Sequence, residues 1–460
     1  MWHQSSASLL LALVAPSITY AAAMAQRDDS VGNAVVNLSQ NNGAATFLGS
    51  GFIYGFPDNG TSAEDNIPDY FLTDIKFRAC RGGGAQIDAV GWASGGYDGY
   101  IGRFYSALSN YRSARKYDGE FILMLSDLWG AQGGATAASV FPGDNGNWTE
   151  MELFLDQVIS DIKSNDILEG LIVDIWNEPD LETFWYPDWS QYVEYFVKAT
   201  QYLRANYPDL PVEGPSMANS PSTDNTNWQA WMSSISGNDT IPDRFSWHQI
   251  GSWQREPDVT VPAFTSLRET YSVAERPIDV NEYAWPSEQN PANSIFYLSQ
   301  FERHNIRALR ANWGGGSNLH NYMASLIYAD GSGYYPNGDW QLYKYYGGML
   351  GDRIATTASS DLLFDAFAAV SDGNILKVIA GTRTVQASYD LIITGFSKYG
   401  LATEGTLDVQ SYRFDWSGSE VQIDSPVDLG KASYGYSSDT LTITLNPPTN
   451  STGYAFEIQL

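Results

Sequence analysis

The sequence predicts an α/β protein, a (β/α)8 TIM barrel followed by a small all-β sandwich domain. Eight short apolar runs alternate with helical segments between about residues 49 and 314, and after about residue 352 the chain changes to short alternating runs. The 460 residues suffice for two units of ordinary size. A doubly wound open sheet is the alternative, but no Gly-x-Gly-x-x-Gly stands between a predicted strand and a helix.

Eight runs are predicted as barrel strands, because parallel strands joined by helical crossovers read as short apolar segments. In chain order they are GSGFIYGF at Gly49, IKFRAC at Ile75, FILMLS at Phe121, GLIVDIWNEP at Gly170, PVEGPS at Pro211, RFSWHQI at Arg244, PIDVNEY at Pro277 and ALRANWG at Ala308. Helices are predicted between them at residues 101–116, 150–164, 189–205 and 292–304. Thr149 and Glu152 predict a capping box at the second helix.

The barrel is assigned to residues 24–351 and the β-sandwich to residues 352–460. Runs such as NILKVIAGT and TLTITL have turn residues between them, which is typical of a sandwich. AVVNLS near Asn37 has the same pattern, so residues 30–48 are expected to add a strand to the sandwich. Without a low-complexity linker, the two units are expected to pack directly together, with the sandwich bracing the barrel in preference to binding glycan.

The amino terminus predicts a secretory signal peptide, residues 1–23, and therefore a secreted, extracellular protein. These residues contain no Lys, Arg, Asp or Glu, and run through LLLALVAP into small residues. The apolar run is too short to span about 30 Å of hydrocarbon, so no membrane association is expected. Five Asn-x-Ser/Thr acceptors fit a secreted glycoprotein: Asn37, Asn59, Asn147, Asn238 and Asn450.

Composition excludes several classes of function. Lys and Arg number 25 against 53 Asp and Glu, a formal charge of −28, so a nucleic acid partner would be repelled. Cys80 is the sole cysteine, which excludes an intramolecular disulfide and a Cys-built zinc site. The four histidines lack His-Glu-x-x-His spacing, and no Gly-x-Ser-x-Gly elbow occurs. No metal or other cofactor is predicted, and the oligomeric state stays open.

Two glutamates stand at the ends of predicted strands. Glu178 ends the fourth run and Glu282 ends the seventh, and each follows an asparagine. The carboxyl ends of barrel strands meet at one mouth, so the two carboxyl groups are expected to face one cavity. Glycoside hydrolysis requires such a pair: one carboxyl protonates the departing oxygen, and the other attacks the anomeric carbon or activates water.

WNEPD at residues 176–180, with NEY at residues 281–283, resembles the clan A glycoside hydrolases. With the following aromatic stretch and the trailing β-sandwich, the chain most resembles glycoside hydrolase family 39, the β-xylosidase and related endo-glycosidase group. The resemblance implies retaining double displacement on β-glycosidic bonds of a plant or microbial polysaccharide or oligosaccharide, with Glu178 as acid/base and Glu282 as nucleophile. Asn281 departs from the family pattern, because many relatives have Thr or another residue there.

Further residues near strand ends are expected to contact the sugar or the reacting groups. Asn177 is expected to hydrogen-bond the sugar 2-hydroxyl, a contact that strengthens in the transition state. Tyr283 is expected to hydrogen-bond the nucleophile. His248 lies where clan A relatives often place a His or Tyr, with a core histidine as the alternative. Trp313 resembles the tryptophan that forms the sugar platform in such enzymes.

Four more candidates follow from neighbouring strand ends and loops. Arg81 is expected to bond the nucleophile carboxylate or a sugar hydroxyl, although Arg78 fits equally well on sequence. Asp127 and Trp129, in LSDLWG, are expected to bind a hydroxyl and stack on a ring, and Trp285 is expected to rim the mouth. Core packing is the alternative for the aromatic residues.

The expected partner is therefore a carbohydrate, with the sugar, the linkage and exo or endo attack left open. Other clan A specificities are alternatives: endo-glucanase, β-glucuronidase or β-galactosidase. An inactive carbohydrate-binding barrel is the alternative from a different class. The two glutamates disfavour it, because a lectin needs neither a proton donor nor a nucleophile.

Overall fold

The computed structural model describes residues 30–251 and 256–460, so the predicted signal peptide, residues 1–23, lies outside the described residues. Strand β1 (Asn33–Ala44) belongs to the C-terminal sheet. Eight parallel strands then close into a barrel in chain order. They are β2 (Gly51–Ile53), β3 (Ala79–Gly82), β4 (Glu120–Met124), β5 (Leu171–Asp174), β6 (Val212–Met217), β7 (Arg244–Gln249), β8 (Ile278–Tyr283) and β9 (Arg307–Arg310).

Helices connect the barrel strands and cover the outside of the barrel. They are α1 (Tyr70–Thr73), α2 (Trp92–Arg115), α3 (Leu125–Trp129), α4 (Thr149–Asn165), α5 (Trp189–Asn206), α6 (Thr226–Gly237), α7 (Pro257–Thr270), α8 (Pro291–His304) and α9 (Gly338–Gly347). Every predicted strand run overlaps one barrel strand, and the predicted (β/α)8 fold is confirmed. None of the helices within the described ranges is both long enough and apolar enough to cross a membrane.

The expected capping box at the start of α4 is wrong. Thr149 is the first helical residue and Trp148 precedes the helix, so the Thr149 side chain is one position too late to cap it. The N–H of Thr149 instead donates to Oδ1 of Asn147 over 3.0 Å.

The C-terminal unit is one curled sheet of nine strands. A hairpin of β10 (Ile327–Ala329) and β11 (Tyr334–Pro336) precedes it. Its later strands are β12 (Asp352–Thr357), β13 (Phe364–Ser371), β14 (Ile375–Thr382), β15 (Tyr389–Thr394), β16 (Gly405–Phe414), β17 (Val427–Tyr436), β18 (Thr440–Leu445) and β19 (Gly453–Gln459). The order is β17-β16-β19-β14-β13-β12-β1-β15-β18, antiparallel except between β1 and β15. The two end strands contact each other, and one apolar core fills the interior.

The two units pack directly against each other through α8. This helix lies on β13 and β14, and Gly381 permits the close approach, because a Cβ there would lie 2.5 Å from the backbone oxygen of Ala292. Arg303 on α8 forms an ion pair with Asp365 of β13. The β unit therefore braces one side of the barrel.

Apolar side chains from five strands fill one part of the barrel interior. Ile53, Ala79, Ile122, Ile172 and Leu309 form a buried cluster there. They come from β2, β3, β4, β5 and β9, and each is at most 6% exposed. Such side chains fill the interior of a barrel as a packed core rather than a pore.

Buried charges occupy the other side of the barrel, on β6 to β9. Arg307 forms ion pairs with Asp279 and, at 3.3 Å, with Glu213, and Arg244 donates to Asp279 over 2.8 Å. Burial raises the pKa of Asp279, but the two arginines outweigh it and lower the pKa to about 2. Burial and the charge of Asp279 raise the pKa of Glu213 well above its ordinary value, whereas Arg307 opposes this rise.

Arg307→Ala should destabilise the protein by about 3–5 kcal/mol, because it leaves the carboxylate of Asp279 buried beside one fewer cation. The free energy of unfolding in urea measures the effect. Arg276→Ala removes an exposed arginine whose only hydrogen bond among the described residues is to its own neighbour's carbonyl, and should change stability by less than about 0.5 kcal/mol. A loss below about 1 kcal/mol for Arg307→Ala would show that the buried charges contribute little.

Candidate active site

Both predicted glutamates contact one buried histidine at the carboxyl end of the barrel. Nδ1 of His248 lies 2.8 Å from Oε1 of Glu178 and 3.6 Å from Oε2 of Glu282. His248 on β7 stands beside Glu282 on β8 in the parallel register, and Glu178 follows β5. The glutamate side chains are only 13% and 14% exposed. The structure thus brings together the three residues that the sequence placed at separate strand ends.

Arg81 faces this site from β3 and is completely buried. Its Nη2 donates to Asp174 over 2.7 Å and to Oδ1 of Asn177 over 2.8 Å, and its Nη1 lies 3.4 Å from Oε2 of Glu282. Arg78 is exposed and donates to the backbone oxygen of Thr46 instead. The two arginines are three positions apart in an extended segment, so they face opposite sides. Arg81 is therefore the arginine of the site.

Glu178 is held in a backbone conformation that L-residues rarely adopt. Its φ is 44°, and its N–H donates over 2.9 Å to the carbonyl of Ser216, whose own φ is 52°. Each such residue costs on the order of 1–3 kcal/mol and persists only where its surroundings enforce it. Such strained residues concentrate at active sites.

Three polar residues inside the strands support the site, and sequence reasoning missed their role. Ser216 donates its hydroxyl to Asp174 over 2.9 Å, and Nδ2 of Asn281 donates to Ser216 over 2.8 Å and to Glu213 over 2.7 Å. Asp174 in turn accepts from Arg81. Asn281, which precedes Glu282 on β8, therefore joins this strand to β6 inside the barrel. The only signal for this role in the sequence was the repeated Asn-Glu pair.

The electrostatics of the site follow from burial. Burial lowers the pKa of His248 to about 4, so the imidazole is neutral at neutral pH. Burial raises the pKa of Glu282, and the charge of Glu178 adds to the rise. Because a neutral imidazole supplies no countercharge, the guanidinium of Arg81 is the cation that opposes this rise. Arg81 therefore favours the charged form of Glu282.

A cavity of about 320 Å³ opens beside Glu282, within the usual size range of ligand pockets. Arg81, Asp127, Asn177 and Trp313 line it, as the sequence led us to expect. Asp127 accepts a hydrogen bond from the hydroxyl of Tyr54. Tyr54 also lines the cavity, and sequence reasoning missed it. No group of three or more His, Cys, Asp or Glu side chains arranged for a metal ion occurs in the part of the chain that the structure describes.

Trp313 forms an exposed rim at this cavity, and Trp285 packs against it. Trp313 is 40% exposed and Trp285 is 47% exposed, and their rings pack edge to face with centroids 4.7 Å apart. Nε1 of Trp313 donates to the carbonyl of Ala284, which fixes the ring that lines the cavity wall. Exposed aromatic faces of this kind suit the apolar faces of sugar rings.

Two expected contacts are absent. Tyr283 does not reach Glu282, because successive strand residues face opposite sides; its hydroxyl bonds that of Tyr343 outside the barrel. Trp129 is 1% exposed, packs on Phe154 and donates Nε1 to the backbone, so its ring is not free to stack on a sugar. Trp129 lies two positions after Asp127 on α3, and helix residues at that spacing do not share a face.

The curated relatives of this chain match it over a short segment of sequence. No protein-family model matches it. Over 133 residues it is 26% identical to 3-O-α-D-galactosyl-α-L-arabinofuranosidase of Bifidobacterium longum subsp. longum. Over 138 residues it is 30% identical to 3-O-β-L-arabinopyranosyl-α-L-arabinofuranosidase of Bifidobacterium pseudocatenulatum. Each alignment covers 28% of this chain but only 11% and 13%, respectively, of these curated relatives.

Solved structures match almost the whole chain. N2152 from Neocallimastix frontalis has a TM-score of 0.72 at 19% identity, over 93% of this chain and 99% of that protein. A monomeric β-xylosidase from Caulobacter crescentus CB15 has 0.54 at 15%, over 93% and 99%. The α-L-arabinofuranosidase of Thermotoga maritima has 0.57 at 12%, over 93% and 100%. The chain therefore shares the fold of these proteins, a (β/α)8 barrel with a C-terminal β unit, and the matches do not assign it to a single family.

His248 should titrate with a pKa of about 4 and stay neutral through pH 5–8, because it is completely buried. Nitrogen-detected NMR titration measures this, and loss of the signal in His248→Gln assigns it. His320 serves as an internal control, because hydrogen bonding to Asp58 raises its pKa above 6.5 despite burial. A His248 pKa between about 6 and 7 would contradict the described environment.

Proposed function

We propose that this protein is a retaining glycoside hydrolase that acts on a plant or microbial polysaccharide or oligosaccharide, with Glu178 as acid/base and Glu282 as nucleophile. The observation that carries the proposal is the contact of both glutamates with Nδ1 of His248, at 2.8 and 3.6 Å. The sum of these distances is an upper limit for the separation of Oε1 of Glu178 and Oε2 of Glu282. Such proximity favours retention, for which the carboxyl groups stand about 5–5.5 Å apart, over inversion, for which they stand about 6.5–9.5 Å apart.

In the first step, a carboxylate oxygen of Glu282 attacks the anomeric carbon and forms an ester. The bond from that carbon to the departing oxygen breaks, and Glu178 gives its proton to this oxygen. Arg81 helps to keep Glu282 ionised and in place. Because Oδ1 of Asn177 already accepts from Arg81, the amide NH₂ group of Asn177 is left to donate to the sugar 2-hydroxyl.

In the second step, Glu178 takes a proton from water, whose oxygen attacks the anomeric carbon and releases the carboxylate of Glu282. Esterification removes the charge of Glu282, so Glu178 ionises more readily in the intermediate. His248 can hydrogen-bond Glu178 in both states, because a neutral imidazole nitrogen donates in one tautomer and accepts in the other. The histidine thus holds Glu178 while its proton comes and goes.

The linkage is proposed more broadly than the β bonds expected from sequence. The names of both curated relatives specify α-L-arabinofuranosides. In these furanosides, as in β-D-xylosides and β-D-glucosides, the glycosidic oxygen and the 2-hydroxyl are trans. One nucleophile, one acid and one contact from Asn177 therefore fit both kinds of substrate, and we propose 1,2-trans glycosides as the substrate class.

A family 39-like enzyme is the finer assignment that WNEPD and the trailing β unit support. Arabinofuranosidase and β-xylosidase are the specificities to be compared first, ahead of endo-glucanase, β-glucuronidase and β-galactosidase. Secretion under residues 1–23, with glycosylation of the mature protein, is part of the same proposal.

Hydrolysis of aryl 1,2-trans glycosides and of plant and microbial polysaccharides tests the proposal. Glu282→Gln should lower turnover at least about a thousandfold, since it removes the nucleophile. Glu269→Gln, an exposed glutamate on α7, should retain wild-type rates. Glycan binding by a wild-type protein that cleaves none of these substrates would support the carbohydrate-binding barrel instead.

Glu178→Gln should slow hydrolysis by about 10²–10⁴-fold for glycosides with poor leaving groups and much less for those with good ones. A good leaving group departs without a proton, so the acid contributes little to its departure. Values of kcat/KM for a series of aryl glycosides of rising phenol pKa measure the effect. Equal losses across the series would argue against the acid role.

The acid limb of the kcat/KM profile should lie above pH 4.5. Burial raises the pKa of Glu282 from 4.5, and a carboxyl with a raised pKa stays protonated up to a higher pH. Because Glu282 must be ionised to attack, activity falls as the pH falls through this raised pKa.

Arg81→Gln removes the opposing cation and should move this limb further upward. Arg78→Gln removes an exposed arginine three residues away and should leave it in place. An acid limb below pH 4.5, or equal behaviour of the two variants, would contradict the described electrostatics.

A further inference from the structure

A second cavity of about 280 Å³ adjoins the first on the far side of Trp313. Trp313 and Gly314 line both cavities, so a sugar chain leaving one would enter the other past the indole. Both units of the protein contribute to the second cavity. Arg310 and Tyr322 come from the barrel unit, and Trp416 and Glu420 come from the loop between β16 and β17 of the sheet unit.

This loop, residues 415–426, is fastened to the barrel unit around α9. The N–H of Ile423 donates to the carbonyl of Pro336 over 3.0 Å, and Nδ2 of Asn337 donates to the carbonyl of Ser419 over 3.1 Å. At Gly338 the loop and the start of α9 lie so close that a Cβ on this glycine would stand 2.0 Å from the backbone oxygen of residue 415. The contact between α8 and the sheet already braces the barrel elsewhere. The fastened loop has the additional effect of holding Trp416 at the cavity.

Arg310 contributes a buried, charge-balanced side chain to the wall of this cavity. Its side chain is completely buried, its Nη1 bonds Asp339 over 2.6 Å, and its Nε bonds the carbonyl of Ala324 over 2.9 Å. The guanidinium is therefore closed off from the cavity, and its ion pair with Asp339 balances its charge.

The adjoining backbone is strained at four consecutive residues. Tyr322, Met323, Ala324 and Ser325 have φ values of 66°, 49°, 50° and 63°, all in the left-handed region that disfavours L-residues. Tyr322 and Ser325 line the second cavity, and Ala324 bonds Arg310. Strain of this kind concentrates at ligand sites, and here it is an observation independent of the size of the cavity.

We propose that the second cavity binds a further, neutral sugar residue of the glycan whose scissile bond lies between Glu178 and Glu282. The inference rests on the proposed function and assigns the sheet unit a part in substrate recognition. Trp416 packs on the apolar face of this sugar, and the polar side chains of Asn318 and Ser419 in the cavity wall bond its hydroxyl groups. Asp339 already balances the charge of Arg310, and Glu420 adds a negative charge, so the cavity disfavours a uronic acid.

Trp416→Ala tests the proposal when two substrates of the same sugar are compared. A monosaccharide glycosyl fluoride occupies only the first cavity, because its leaving group is a single atom, whereas an oligosaccharide of at least three residues reaches both. We expect kcat/KM for the oligosaccharide to fall about tenfold or more, which corresponds to about 1.4 kcal/mol. The value for the fluoride should change less than about twofold, or 0.4 kcal/mol.

Tyr434→Ala is the matched control, since Tyr434 is a half-buried aromatic near the other end of the β16–β17 hairpin. It should leave both substrates unaffected. Should Trp416→Ala prove unstable, Trp416→Leu keeps an apolar side chain without the flat ring, and the same ratio of substrates is the readout. Equal loss on both substrates, or no loss, would overturn the inference while leaving the hydrolase proposal in place.

Binding measurements separate failure of this inference from failure of the proposed function. Calorimetry with Glu282→Gln and the oligosaccharide should show at least about tenfold weaker binding when Trp416→Ala is added. The corresponding acidic oligosaccharide of uronic acid residues should bind more weakly than the neutral one. If wild type cleaves nothing, the hydrolase proposal fails, and unchanged binding in the double variant would overturn the cavity as a sugar site as well.

Discussion

The geometry of the barrel mouth depends on the hydrogen bonds and ion pairs that the buried guanidinium of Arg81 makes. It joins β3 to Asp174 on β5, to Asn177 beyond that strand and to Glu282 on β8. A buried cation is costly unless it is paired and hydrogen-bonded, and the acceptors that offset this cost are the same groups that shape the site. Glu282 is therefore positioned by the interior of the barrel rather than by its loops.

The division of the barrel interior explains how this network is tolerated. Apolar side chains from β2 to β5 and β9 fill one part, and the charged residues of β6 to β9 occupy the other. Within the charged part, Asp279 stays ionised between two arginines, and burial beside Asp279 raises the pKa of Glu213. Asn281 connects this layer to Ser216 and Asp174, just beneath the two glutamates. Charge balance deep in the barrel thus contributes to the chemistry at its mouth.

Much of the fold could be predicted from sequence, because barrel strands read as short apolar runs with helices between them. Strand β17 was missed, since VDLGKASYGY is mostly exposed and carries no alternating apolar pattern. Glu178, Glu282 and His248 could be placed together because strand ends converge. The choice between Arg78 and Arg81, and the orientations of Tyr283 and Trp129, depended on which face each residue presents. Asp174 and Trp416 were missed, because their roles arise from contacts between distant segments.

We propose, as the step on which the hydrolase activity depends, that Glu282 attacks the sugar and becomes covalently linked to it. The most direct test is mass spectrometry of peptides after incubation with a 2-deoxy-2-fluoro glycoside that carries a good leaving group, made from the sugar that the protein hydrolyses fastest. The fluorine slows both steps, whereas the good leaving group keeps the first step fast enough for the glycosyl-enzyme intermediate to accumulate. We expect one added glycosyl unit on the peptide that contains Glu282. A label on another carboxylate, or release of product with inverted configuration and no label, would contradict it.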